Sequence, residues 1–229
     1  MTICLVTDRR RLAGEDAPLA IARRCLVAQA EYAVAAGIDL IQLREHDLDA
    51  ADLAALTRDL VAVTRGTATR VVVNDRLDVA LACGADGVHL RAASVAVEPA
   101  RRITPAGFLI GRSVHRVDEA ADASGADYLI AGTVFSSRSK PASHALLGLD
   151  GLGEIARSVE IPVVAIGGVD RGQFDAIAQS GAAGFAAIGL FMAVEVGPHT
   201  SRPPACRAVP LAEIVADARS RFDRVQRAS

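Results

Sequence analysis

Eight short apolar runs alternate with Ala-rich amphipathic segments along the 229 residues of this chain, and that regularity excludes most architectures. The runs are Ile3–Val6, Leu40–Leu43, Arg70–Val73, Gly87–Leu90, Leu109–Gly111, Tyr128–Ala131, Val163–Ile166 and Gly184–Ile188, each bounded by turn residues and predicted to be a strand. Helical candidates between them are Ala17–Ala36, Ala50–Thr64, Leu77–Cys83, Pro99–Ile103, Val117–Ser124, Leu149–Ser158, Gln173–Ser180 and Leu211–Val225. Glycine marks the join of helix and following strand in Ala36-Gly37-Ile38-Asp39, Cys83-Gly84-Ala85-Asp86-Gly87, Ser124-Gly125-Ala126-Asp127 and Ser180-Gly181-Ala182-Ala183-Gly184, where a left-handed residue stops a helix. Eight such units predict an α/β fold of the closed (β/α)8 TIM-barrel type, with residues 1–229 as a single domain. A doubly wound open sheet is the alternative.

The seventh and eighth strands end in glycine-bearing turns, Gly167-Gly168-Val169 and Ile188-Gly189. In many barrels of this type such paired turns aim backbone N–H groups at one phosphate, so Gly167, Gly168, Ile188 and Gly189 are expected to bind a phosphate. Two stretches break the repeat. Ser136 to Leu147 is a polar loop long enough to close over a ligand, and Val194 to Pro210, with four prolines, reads as a surface insertion.

Composition narrows the partners. Lys and Arg number 25 against 27 Asp and Glu, and aromatic residues make up 3%, so neither a broad basic face nor stacking platforms for nucleic acid are present. Cys4, Cys25, Cys83 and Cys206 are scattered without a Cys-x-x-Cys pair and read as reduced residues of a cytoplasmic protein. The first apolar run is too short for a signal peptide or membrane span, which predicts a soluble chain.

Function in a βα barrel collects at the C-terminal ends of the strands, and here those ends are polar. Gln42 and Arg44 alternate inward on the second strand, a guanidinium fork for an anion beside an amide that can donate and accept across a heteroaromatic ring edge; Glu45 is expected to hold Arg44. Asn74 and Asp75 follow the third strand, where Asp75 either caps the next helix or meets substrate or metal. His115, beyond the fifth strand with Ser113 beside it, is the expected proton carrier because imidazole titrates near neutrality, with His46 as its rival. His89 and His199 read as structural or surface residues. Thr133 and Lys140 follow the sixth strand and are expected to contact the ligand.

These segments together resemble the thiamin phosphate synthase and thiazole tautomerase superfamily, through Leu5-Val6-Thr7-Asp8, Gln42-Leu43-Arg44-Glu45, Val73-Asn74-Asp75-Arg76, Gly84-Ala85-Asp86-Gly87-Val88-His89-Leu90, Ile110-Gly111-Arg112-Ser113-Val114-His115, Gly132-Thr133-Val134-Phe135 with Lys140-Pro141, and Ile161 to Gly168. The resemblance implies a cytoplasmic enzyme of thiamin biosynthesis that binds a phosphorylated thiazole, with no nucleic acid or membrane partner and with homo-oligomerisation possible.

Within the superfamily, the synthase branch joins hydroxymethylpyrimidine pyrophosphate to a thiazole phosphate and implies magnesium on the Asp of the Asn-Asp pair and on a second Asp after the fourth strand. Here Asp75 matches the first, Ser94 stands at the second, and His46 replaces a lysine that usually follows Arg-Glu. That loss of charge at the leaving group favours the other branch, a metal-free thiazole tautomerase (TenI-like) that isomerises a carboxylated thiazole phosphate with His115 as acid/base. A tautomerase is therefore the primary expectation and a synthase the alternative. A non-catalytic, regulatory binder of thiazole or thiamin phosphate is a third.

Overall fold

The computed structural model describes residues 1–136, 145–192 and 211–228. Eight parallel strands, β1 (Thr2–Val6), β2 (Leu40–Leu43), β3 (Arg70–Asn74), β4 (Gly87–Leu90), β5 (Leu109–Val114), β6 (Tyr128–Gly132), β7 (Val163–Ile166) and β8 (Gly184–Ala187), close in sequence order into a barrel. The closing seam pairs Thr2 with Gly184 and Leu5 with Ala187. The (β/α)8 expectation holds, and the open sheet is excluded.

Helices α1 (Arg9–Ala13), α2 (Leu19–Ala36), α3 (Ala50–Thr64), α4 (Leu77–Cys83), α5 (Val97–Arg102), α6 (Val117–Ala121), α7 (Gly148–Ser158), α8 (Phe174–Gln179) and α9 (Leu211–Ala228) are described around it. Sequence patterning did not anticipate α1. The Asp8 side chain accepts the Arg11 amide at 3.0 Å and so caps a helix that buries no residue of its own. The next helix starts at Leu19 rather than Ala17, because Pro18 sits at its N-cap with an extended ψ of 140°.

Strand alternation sorts the core into two compartments. Cys4, Val6, Leu40, Val72, Tyr128, Ile130, Val164 and Ala186 pack together inside the barrel. Their neighbours in the strands, with Phe174, Phe185 and Phe222, fill the layer under the helices. There Phe174 stacks on Phe185 with ring centroids 4.8 Å apart. Burying each such ring is worth roughly 1.5–3 kcal/mol. The interior is packed tightly enough that a Cβ at Gly111 would meet the Tyr128 ring.

Candidate active site

The inward parity that builds the interior continues upward into polar residues. Gln42 and Arg44 follow Leu40, Asn74 follows Val72, and on β4 and β5 the register sets Asn74 beside His89 and His89 beside Gly111. Strand β5 runs on to Val114, so Ser113 lies in the strand rather than in the turn after it.

A layer of hydrogen bonds floors the mouth. His89 is fully buried, with Nε2 2.8 Å from Ser113 Oγ and Nδ1 3.3 Å from the Tyr128 hydroxyl. Burial, with Arg112 nearby, pushes its pKa down to about 3, so the ring is neutral. Ser113 is thus engaged by the structural His89 and not by His115. Above this floor Gln42 Nε2 donates to Asn74 Oδ1 at 2.8 Å, while Asn74 Nδ2 is buried without a partner among the described residues. An unpaired buried donor costs roughly 1–3 kcal/mol, and a ligand acceptor relieves it.

Glu45 does not hold Arg44. Its carboxylate accepts Thr7 Oγ1 at 2.7 Å, the Arg9 amide at 3.1 Å and Arg9 Nη1 at 3.2 Å, so it ties α1 to the β2 end. Burial raises the Glu45 pKa against these bonds. Arg44 is half-buried and makes no ion pair with a described carboxylate. Loss of hydration, then the Arg44 and Arg91 charges, hold the His46 pKa below its ordinary value.

Asp75 does not cap α4, whose N-cap is Arg76 without a side-chain bond. It adopts a left-handed φ of 63°, uncommon outside glycine. One carboxylate oxygen takes the Ser94 hydroxyl and the other takes Arg91 Nη2. Ser94 Oγ also accepts the Arg91 amide at 3.0 Å. Arg112 fixes the same loop from its other end, donating to the Ala92 and Val95 carbonyls at 2.8 and 2.7 Å. Magnesium takes oxygen ligands in near-octahedral geometry, commonly one or two carboxylates plus substrate phosphates. Here both oxygens of the one carboxylate are engaged, one of them by a guanidinium cation that opposes a second positive charge, and Ser94 brings a hydroxyl rather than a second carboxylate. These residues do not fit a magnesium site.

Across the mouth, Gly167 and Gly168 have φ of 99° and 64°, and the β6 end packs on them. The Val134 amide donates to the Ile166 carbonyl at 2.9 Å and the Phe135 amide to Gly167 at 3.0 Å, with Thr133 against Gly167. Among the described residues the Gly168 and Gly189 amides make no turn or loop hydrogen bond to backbone. Arg11, which sequence reasoning missed, lies against the second turn: a Cβ on Gly189 would stand 3.2 Å from its Nη2. The Asp8 cap was the available signal. His115 is exposed, with Nδ1 on the Gly132 carbonyl and its amide donating to Glu119 at 2.7 Å. The contact on Nδ1 leaves Nε2 as the acceptor.

Lys140, most of the 136–147 loop, the 194–210 segment, His199 and Cys206 lie outside the described residues. Cys4, Cys25 and Cys83 are buried. Among the described residues no helix is long and apolar enough to cross a membrane.

A family model described as thiamine monophosphate synthase matches residues 4–191. A protein of Methanoregula boonei named thiamine-phosphate synthase is 45% identical over 161 residues, 69% of this chain and 74% of its own length. One of the same name from a Roseiflexus species is 39% identical over 188 residues, 81% of this chain and 76% of that protein. Among solved structures, thiamine phosphate pyrophosphorylase from Pyrococcus furiosus superposes with a TM-score of 0.74 at 30% identity, covering 98% of this chain and 96% of the other.

These names overturn the expectation of a thiazole tautomerase. That expectation took the loss of a carboxylate at Ser94 and of a lysine at His46 as a loss of charge stabilisation. The structure sets the Arg91 guanidinium beside Asp75 and leaves Arg44 without a carboxylate partner among the described residues on the same side of the mouth.

Proposed function

The chain belongs to the thiamine monophosphate synthase family, and on that premise we propose that it is a thiamine-phosphate synthase, a transferase joining hydroxymethylpyrimidine pyrophosphate to a thiazole phosphate. The observation that carries this reading is that one barrel mouth holds two separate groups of donors, each suited to an anion. The Gly167-Gly168 and Ile188-Gly189 turns offer backbone amides on one side, and Arg44 and Arg91 offer guanidiniums on the other. A substrate pair bearing a phosphate and a pyrophosphate uses both. Isomerisation of a carboxylated thiazole phosphate brings no pyrophosphate to hold.

In this reading the glycine turns, with Arg11 beside them, hold the thiazole phosphate. Gln42 and Asn74 meet the pyrimidine edge, the unpartnered Asn74 Nδ2 donating to a ring nitrogen. The carbon–oxygen bond to pyrophosphate breaks with its electron pair going to the departing oxygen, and the thiazole nitrogen lone pair forms the new carbon–nitrogen bond. Arg44 and Arg91 stabilise the charge that develops on the leaving group. No proton moves in this exchange, so His115 and Thr133 act as binding groups, with His115 Nε2 accepting a hydrogen bond.

Purified chain given both substrates is expected to release pyrophosphate and thiamine phosphate in equal amounts. Tight binding of thiazole phosphate without coupling, with or without magnesium, would refute the assignment and favour a non-catalytic binder.

A further inference from the structure

The loop after β4 is built around a cation. Ser94 Oγ bonds Asp75 and receives the Arg91 amide, Arg91 Nη2 pairs with Asp75, and Arg112 ties the Ala92 and Val95 carbonyls. These contacts fix the backbone of the loop and the Asp75 carboxylate, and Asp75 in turn holds the Arg91 guanidinium through Nη2. The group carries five N–H donors, of which Nη2 reaches Asp75, and more than half of the side chain stays open to solvent (56%). The Arg44 and Arg91 charges both act on His46, as do the Asp75 and Asp47 carboxylates. Asp47 is paired with Arg9 and Arg10, and Asp75 with Arg91, which leaves Arg44 as the guanidinium of this group without a carboxylate partner among the described residues.

We propose that Arg91 and Arg44 form a metal-independent pyrophosphate site, in which the Arg91 guanidinium, held by Asp75 and the Ser94 clasp, takes the place of a divalent ion. The proposal rests on the synthase reading for the identity of the anion. Its chemistry is simple: guanidinium forks bind phosphate oxygens through paired charge-assisted bonds, and a preorganised fork loses little freedom on binding. Asp75 then serves as the anchor of a cation and not as a metal ligand.

Calorimetric titration of inorganic pyrophosphate into the full chain tests this, once in EDTA and once in excess magnesium. Dissociation constants in the two buffers are expected to agree within about threefold, and Arg91→Ala to weaken binding about tenfold or more in EDTA, a loss of about 1.4 kcal/mol. Arg91→Lys, which keeps the charge on the same loop, should recover part of that loss if the variant is folded and the charge is what binds. Asp75→Asn separates the two models by metal dependence: loss of an anchor of Arg91 changes pyrophosphate binding equally in EDTA and in magnesium, whereas loss of a metal ligand weakens binding in magnesium alone. Pyrophosphate binding seen only with magnesium, or an effect of Asp75→Asn confined to magnesium, would overturn the proposal. Catalytic coupling that persists in that case keeps the synthase reading intact, and metal-free pyrophosphate binding without coupling removes the synthase reading while leaving the site.

Discussion

Replacing Gly168 with alanine probes the phosphate turn and the packing behind it together. At φ +64° an L side chain costs roughly 1–2 kcal/mol. A Cβ there would also lie 2.8 Å from the Phe135 carbonyl oxygen, and closer still to that of Ser136. Both neighbours are backbone atoms, so the methyl group displaces the chain after β6 rather than a rotamer, and overpacking of that kind adds about 1–3 kcal/mol. Gly84 supplies the control, with φ +68° but nothing within 4 Å of the place a methyl group would take. Urea unfolding is expected to show a loss of about 2–5 kcal/mol for Gly168→Ala against about 1–2 for Gly84→Ala. Calorimetry with thiazole phosphate should show affinity about tenfold or more weaker in the first and unchanged in the second. Equal destabilisation of the two variants, together with unchanged ligand affinity in both, would refute the reasoning on packing and on phosphate binding alike.

Arg11→Ala should raise KM for thiazole phosphate roughly 5- to 20-fold with kcat little changed, the loss expected for a charge-assisted contact in partial solvent, and should leave binding of the unphosphorylated thiazole alcohol alone. Equal effects on both ligands would remove Arg11 from the phosphate site. For His89 the folded pKa of about 3 lies below the ordinary 6.5, so below pH 6.5 the unfolded chain takes up a proton that the native one refuses. Its contribution is fully present above pH 6.5 and is lost as pH falls toward 3. Unfolding free energy should therefore drop about 2 kcal/mol more between pH 7 and pH 5 in the unaltered chain than in His89→Gln. Identical pH dependence in the two, measured by urea unfolding, would show that His89 does not stay neutral.

Repetition made the barrel legible: eight apolar runs and glycine stops are a pattern that tolerates errors of a residue or two at each end. The errors gather where the site begins. Patterning ended the fifth strand at Gly111, because Arg112 and Ser113 are polar, yet the strand continues to Val114. Inward positions at a mouth serve ligand and floor rather than core, so hydrophobicity fades before the strand does. Helix α1 escaped because Arg9-Arg10-Arg11-Leu12-Ala13 buries nothing; a side-chain cap and ion pairs make it. Its presence also explains why Glu45 meets Arg9 and not its sequence neighbour Arg44. The preference for a tautomerase had a similar origin. A missing carboxylate is visible in a sequence, but the folding of Arg91 back onto Asp75 is not.

The seam between β1 and β8 bears on how the chain is made. Synthesis delivers the N-terminus first, so β1 can meet β2 early, whereas its other edge waits until residue 184 has been added. At about 5–20 residues per second that interval is on the order of ten to thirty seconds. Throughout it, a strand of Ile3-Cys4-Leu5-Val6 presents one row of unpaired backbone groups, the kind of edge that recruits foreign strands. Nascent chains halted short of residue 184 thus carry an adhesive edge that the finished barrel lacks, and crowding of ribosomes on one message brings such edges together.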